Sequence, residues 1–257
     1  MKRRALLALT VFALGCKKTP HPPLRVAAAA DLAHAFDELS PAFSAEASPQ
    51  SELKLTLGAS GLLARQLTQG APFDLFLSAD VGYVDRLLKA GVCDGTTAAS
   101  YARGRLVIWV KGAEGARLTL VSLSDARFKH VAIANPEHAP YGKAAREALT
   151  RAGVWDALKA RIVYGENVQQ TFELARSGNA DAAIVGLSLA VGTPRGSWSM
   201  VDEALYAPIE QALVVCSQGT NAAGARRLKA FIESARGRAI LRKSGFLLPG
   251  ETWALAP

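Results

Sequence analysis

Lys54-Leu55-Thr56-Leu57-Gly58-Ala59-Ser60-Gly61-Leu62-Leu63-Ala64-Arg65-Gln66-Leu67 changes its hydrophobic period part-way along. Residues 54–57 alternate polar and apolar, as a half-buried strand does, whereas residues 62–67 place apolar side chains at helical spacing. A turn of small residues therefore feeds a helix whose first N–H groups have no carbonyl partner inside it. Those donors, together with the positive end of the helix dipole, form a place where an anion can bind. Taken alone, the turn is an ordinary helix start. Three more turns of small or polar residues hold equivalent places: Ala29-Ala30-Asp31, Ala139-Pro140-Tyr141-Gly142 and Gly165-Glu166-Asn167-Val168.

Working outward, the chain alternates strand, turn and helix. Strands are expected at Arg25–Ala28, Leu53–Leu57, Asp74–Leu77, Leu106–Val110, Val131–Ala134, Arg161–Tyr164, Ala182–Val185 and Ala212–Val215. Helices are expected from Asp31 to about Glu46, Gly61 to Gln69, Val81 to Ala90, Gly142 to Arg151 and Val168 to Ser177, with two more closing the chain. Gly192 to Ser199, rich in Gly, Pro and Ser, reads as a loop. Such alternation specifies an α/β fold of two open, mostly parallel sheets with helices on both faces. The expected division is a leader and tether over 1–23, one lobe from 24–108 plus 213–257, and a second over 109–212, the chain crossing at Leu106–Val110 and returning at Ala212–Val215. Ligands of such sheets sit at the carboxyl ends of the strands, here in the cleft between lobes.

The N-terminus reads as a targeting segment. Met1-Lys2-Arg3-Arg4 is basic and Ala5–Leu14 apolar, too short a run to span a bilayer. The Gly15-Cys16 junction resembles a lipoprotein signal, although Ala13 stands where leucine is usual. Lipidation of Cys16 is the expectation, with ordinary cleavage or an uncleaved anchor as alternatives, and the protein is placed in the periplasm or on the outer side of the cytoplasmic membrane. Lys17–Pro23 then serves as an extended tether. The formal net charge is +8, of which Lys2, Arg3 and Arg4 supply three. The remaining modest field can help to steer anions. No basic stripe interleaved with aromatics points to nucleic acid. Besides Cys16 there are only Cys93 and Cys216, for which free thiols are the expectation and a disulfide the alternative, and His21, His34, His130 and His138 form no metal-ligand pattern.

None of the four turns carries Lys or Arg. A site built from N–H groups and helix dipoles holds an anion without a counter-charge and, being poor in acceptors, favours a fully ionised oxyanion. Small organic acids usually need an Arg to grip the carboxylate. A hydrolase using Ser60 is disfavoured, because Gly-Ala-Ser-Gly is not the nucleophile-elbow motif and no Walker or dinucleotide fingerprint is present.

Four segments carry a resemblance: Gly-Ala-Ser-Gly-Leu-Leu-Ala-Arg-Gln-Leu (58–67), Gly-Ala-Pro-Phe-Asp-Leu-Phe-Leu-Ser-Ala-Asp (70–80), Ala-Asn-Pro-Glu-His-Ala-Pro-Tyr-Gly (134–142) and Gly-Glu-Asn-Val (165–168). In order and separation they resemble the periplasmic molybdate-binding proteins of ABC importers, from about Val26 to Phe246. The resemblance implies a two-lobed type II solute-binding fold, molybdate or tungstate as ligand, no cofactor, no enzymatic activity, a monomer, and an ABC permease in the inner membrane as partner. It implies Ser60 as a hydroxyl and N–H donor, and Tyr141 and Val168 as backbone donors. Asp31 falls where many relatives have serine; we expect it to cap its own helix and to offer at most its N–H. Gly186 falls where some members place a tyrosine, so one donor is lost there or supplied elsewhere, for which the Tyr141 phenol is a candidate. Sulfate or another oxyanion is the alternative ligand.

Overall fold

The computed structural model describes residues 22–46, 52–112 and 118–252. The leader and Cys16 lie outside the described residues. In chain order the strands are β1 (Leu24–Ala29), β2 (Leu53–Gly58), β3 (Leu75–Ser78), β4 (Ala99–Gly104) and β5 (Leu106–Lys111). They continue with β6 (Val131–Ala134), β7 (Ile162–Gly165), β8 (Ala182–Gly186), β9 (Gly196–Met200) and β10 (Ile209–Val215). The helices are α1 (Ala33–Glu46), α2 (Ser60–Thr68), α3 (Val81–Lys89), α4 (Pro140–Arg151) and α5 (Trp155–Leu158). α6 (Val168–Ser177), α7 (Leu187–Ala190), α8 (Ala222–Glu233) and α9 (Ala235–Lys243) complete the set.

The strands form two five-stranded sheets, ordered β2-β1-β3-β10-β4 and β7-β6-β8-β5-β9. In each, four strands share a direction and one, β10 or β5, runs against them. β1 shows how the faces are divided. Leu24, Val26 and Ala28 join the core under α1, α8 and α9, while Ala27 joins Leu63, Leu67, Val84 and Leu87 of α2 and α3 on the other face. That is the period-two geometry of a strand covered on both sides, and it explains why Leu75-Phe76-Leu77 is apolar throughout. The core of the second sheet is continuous with Ala29, Ala30, Ala33, Ala59 and Ala79 of the first, so apolar contact runs across the cleft. At its heart Trp109 and Phe172 meet edge to face, centroids 5.1 Å apart, an arrangement worth about 1 kcal/mol beyond area burial.

Three expectations need correction. The passage between sheets does not fall within Leu106–Val110. Gly104 pairs with Ile209 in the first sheet and Leu106 with Gly186 in the second, so the chain changes sheets at Arg105. The return falls between Met200 and Ile209, and the divisions expected at 108/109 and 212/213 lie inside β5 and β10. An apolar run signals a buried strand without saying which sheet it joins. Secondly, β4 was not anticipated, and β9 lies largely inside the stretch read as a loop. Both are the edge strands of their sheets, and their Gly, Ser and Ala content carries little strand signal. Thirdly, Cys93 and Cys216 are joined in a disulfide across 123 residues. β10 returns antiparallel to β3, and bonds from Asp94 N to Val215 O (2.9 Å) and from Ser217 N to Val92 O (3.0 Å) set the two cysteines opposite each other.

Candidate functional site

The strand registers align the ends from which the turns spring. Ala29 is opposite Gly58 in the first sheet, and Ala134 is opposite Gly165 in the second. The four turns identified in the sequence meet around one cavity between the sheets. Ala29, Ala30, Asp31, Ala59, Ser60 and Ala79 line it from the first sheet, and Ala139, Pro140, Tyr141 and Val168 from the second. Its volume is about 10 Å³, about the space of one water molecule and far below the usual 300–1,000 Å³ of sites for organic metabolites. Of the two larger cavities, one lies outward along the cleft against Lys143, Glu147 and Glu210, and the other borders His34 and Arg176. Neither is lined by the starts of α2 and α6.

How those helices begin is informative. Ala29, Ala59 and Ala139 occupy the N-cap positions of the turn at 30–32, of α2 and of α4, and none makes a side-chain cap bond. Alanine is a poor N-cap, costing about 1 kcal/mol against Ser, Asn or Asp. By contrast α3, α8 and α9, whose starts do not line the cavity, are capped by Asp80, Asn221 and Ser234. At α6 the Asn167 side chain accepts from Gln170 N (3.0 Å) and so leaves the Val168 N–H at the first position. The N–H groups of Ser60, Tyr141 and Val168 thus stand in first turns without an intrahelical carbonyl. Pro140, which has no N–H, sits where Pro fits a helix start. The Ala repeated before three of the four starts was a sequence signal that cap preferences alone had not singled out.

Ser60 is fully buried, and its hydroxyl accepts from Ala79 N at 3.0 Å. That leaves its O–H proton to be given elsewhere. Asp31 is not an N-cap, contrary to expectation. It sits in a 3-10 turn, fully buried, and its Oδ2 accepts from the Tyr141 phenol at 2.9 Å and from Gln211 Nε2 at 2.5 Å. Tyr101 donates in turn to Gln211 Oε1 at 2.6 Å. Burial pushes the Asp31 carboxyl up to about 6, against the opposing pull of Gln211, Tyr141 and its own N–H. Burial, and then the neighbouring Asp31 charge, holds the Tyr101 and Tyr141 phenols well above their usual range. Gln211 and Tyr101 were not singled out in the sequence. A polar Gln inside the apolar run of β10 was the available sign.

The Tyr141 phenol therefore serves Asp31, while its backbone stands at the start of α4. Gly186 lies outside the cavity lining, behind the Tyr141 ring. A Cβ added there would come within 2.9 Å of Tyr141 Cε1. The space that a tyrosine at this position would need is filled by the ring from α4. Asp31, Ser60, Tyr141 and Val168 are thus brought together, and Gly186 supports one of them.

The two halves also touch directly. Gly61 N donates to His138 O at 3.0 Å, from α2 to the loop before α4. A Cβ at position 61 would lie 2.6 Å from the Tyr83 phenol oxygen and 2.8 Å from His138 O, so this approach requires glycine. Ser188 Oγ donates to Asp31 O at 2.8 Å on the other side of the cavity.

Comparison with known proteins adds to this geometry. The sequence profile of the bacterial extracellular solute-binding proteins matches residues 24–247. The molybdate-binding protein ModA of Rhodobacter capsulatus is 37% identical over 191 residues, 74% of this chain and 75% of that protein. The protein of the same name from Azotobacter vinelandii is 30% identical over 250 residues, 95% of this chain and 96% of that one. The solved structure of the Azotobacter vinelandii periplasmic molybdate-binding protein superposes with a TM-score of 0.82 at 29% identity, covering 88% of this chain and 99% of that one.

Proposed function

We propose that this chain, which belongs to the bacterial extracellular solute-binding proteins, captures molybdate or tungstate outside the cytoplasm and delivers it to an ABC importer. The observation that carries this reading is the convergence of uncapped helix starts from both sheets on one small cavity whose lining has no Lys or Arg. Ser60, Tyr141 and Val168 supply N–H donors in this reading, and Ser60 adds its hydroxyl. Such donors are fixed before the ion arrives, so they offer it hydrogen bonds at little reorganisation cost. The names of the relatives at 37% and 30% identity support molybdate as the ion.

The two sheets, meeting at Arg105 and over residues 201–208, act as lobes that close on the ion, with Gly61 and His138 as the closing contact. Delivery falls to a membrane permease driven by an ATPase, and the chain itself performs no chemistry on the ion. It works as a monomer tethered through an acylated Cys16, for which mass spectrometry of the N-terminal peptide is the test. Among the described residues no helix is long and apolar enough to cross a membrane.

Titration calorimetry with molybdate, tungstate, sulfate and phosphate tests the reading. Binding of molybdate or tungstate in preference to the other two is the expected result. Tight binding of sulfate with none of molybdate overturns the choice of ion, and no binding of any of the four overturns the oxyanion site.

A further inference from the structure

The cavity holds one group that an anion site should not tolerate in its ionised form. Asp31 lines it, is fully buried, and presents two carboxyl oxygens in unequal surroundings. Oδ2 accepts two hydrogen bonds, from Tyr141 and Gln211. Oδ1 is buried and has no hydrogen-bond partner among the described residues. An ionised carboxylate would repel a dianion at short range, and the buried Oδ1 would be left unsatisfied, which is costly in itself. A neutral acid removes both penalties. Its proton must then sit on Oδ1, because Oδ2 already faces two donors. Resting on the oxyanion-capture reading above, we propose that Asp31 binds the ion as a protonated acid, Oδ1–H donating to an oxyanion oxygen, so that capture takes up one proton from solvent.

The groups around Asp31 leave no other charge to do this work. Tyr141 from α4 and Tyr101 from β4 face it, and both stay neutral at ordinary pH. The elements packed on its turn are α1, α6, α7 and β2. Asp37, Glu38 and Lys54 are exposed on these elements, Glu173 and Arg176 pair with each other at the surface, and His34 lies against Phe172. His138 at the rim is bonded to Glu166 O. Burial has already moved the Asp31 carboxyl up to about 6, so it is mostly ionised at pH 7.5 in the empty protein, and the bound dianion has only to raise it further.

The protonation state of Asp31 also bears on selectivity. An ionised Asp31 would be an acceptor for a protonated oxyanion such as hydrogen phosphate, whereas a protonated Asp31 is a donor suited to a fully ionised ion. Calorimetry of the wild-type protein with molybdate at pH 7.5, in two buffers of different ionisation enthalpy, counts the protons. Uptake close to one per ion supports the proposal, and uptake close to zero with molybdate bound overturns it while leaving the capture reading intact. Between pH 6.5 and 8.5 the wild-type Kd should weaken about tenfold per pH unit, as linkage to a single proton requires. Asp31→Asn keeps an acceptor for Tyr141 and Gln211 and offers an N–H donor in place of Oδ1. In that variant the pH dependence should flatten to within about threefold, and the proton uptake should vanish. Uptake that persists in Asp31→Asn and disappears in His138→Gln overturns the proposal, as does preference for phosphate over molybdate. Failure of both the wild type and Asp31→Asn to bind any oxyanion overturns the capture reading and the inference together.

Discussion

Asp31 and Ser60 occupy equivalent places in neighbouring units. Each stands two residues beyond a strand end, and those ends, Ala29 and Gly58, are paired in the sheet. Each follows an alanine-capped start, is fully buried, and lines the same cavity. Their side chains are nonetheless held in opposite ways. The Ser60 hydroxyl accepts one local N–H and keeps a proton to give. The Asp31 carboxyl is held by residues from the far side of the cleft and from β10. Position on the scaffold thus selects which residues meet the ligand, and chemistry decides whether the meeting depends on pH. A hydroxyl donates throughout the ordinary range; a buried carboxyl donates only while protonated.

The largest expected effect separates the two on stability. Folded Asp31 keeps its proton up to about pH 6, whereas the unfolded chain loses it near 3.8. Between those values the folded state holds more protons, so the Asp31 contribution to stability falls as pH rises through the window and stays low above it. The difference amounts to about 3 kcal/mol. Asp31→Asn, which does not titrate, should gain about 2 kcal/mol over wild type at pH 7.5 relative to the comparison at pH 4, where the unfolded carboxyl is already partly ionised, read by urea unfolding. An equal difference at both pH values would show that burial does not perturb this carboxyl.

Ser60→Ala tests the other member of the pair. It removes a hydroxyl donor and leaves the Ala79 N–H unpaired, so molybdate affinity should fall by about 2 kcal/mol, or about thirtyfold. The loss should be the same at pH 6.5 and 8.5, measured by calorimetry. A loss confined to one pH would erase the contrast with Asp31.

Gly186→Ala reaches the pair indirectly. Its new Cβ would press on the Tyr141 ring at 2.9 Å, and overpacking of this kind costs about 1–2 kcal/mol. Thermal unfolding should show the loss in the ion-free protein, and an unchanged melting temperature would mean that the ring has room to move. Tyr141→Phe is the mildest change. It keeps the ring and removes one donor to Asp31, so stability above pH 7 should fall by about 1 kcal/mol, with little change at pH 4, where the carboxyl is neutral. Equal losses at the two pH values would assign the effect to packing.

Much of the fold was legible because it rests on local periodicity. Leu53–Leu57 and the helix after it, the helix at Val168–Ser177, and the strand at Val131–Ala134 follow from residues a few positions apart. The edge strands β4 and β9 were missed because a strand at the margin of a sheet needs little apolar patterning. The turns that line the cavity were legible for the same local reason, since each is a strand end followed by a helix start. What the side chains do there was not. Asp31 resembled a cap when only its own turn was considered, and Gly186 resembled a ligand position until Tyr141 was found against it.

The amino-acid sequence by itself determined the alternation of strands and helices, the four turns without Lys or Arg, and the family segments around Ser60, Tyr141 and Val168, because these depend on neighbours within one turn or one strand. Only the tertiary structure decided that Cys93 meets Cys216, that the chain changes sheets at Arg105, and that Asp31 is held by Tyr141 and Gln211. Those last two partners lie 110 and 180 residues away. Contacts over such separations are set by sheet order and register, which bring distant strand ends to one cavity and which no local pattern encodes.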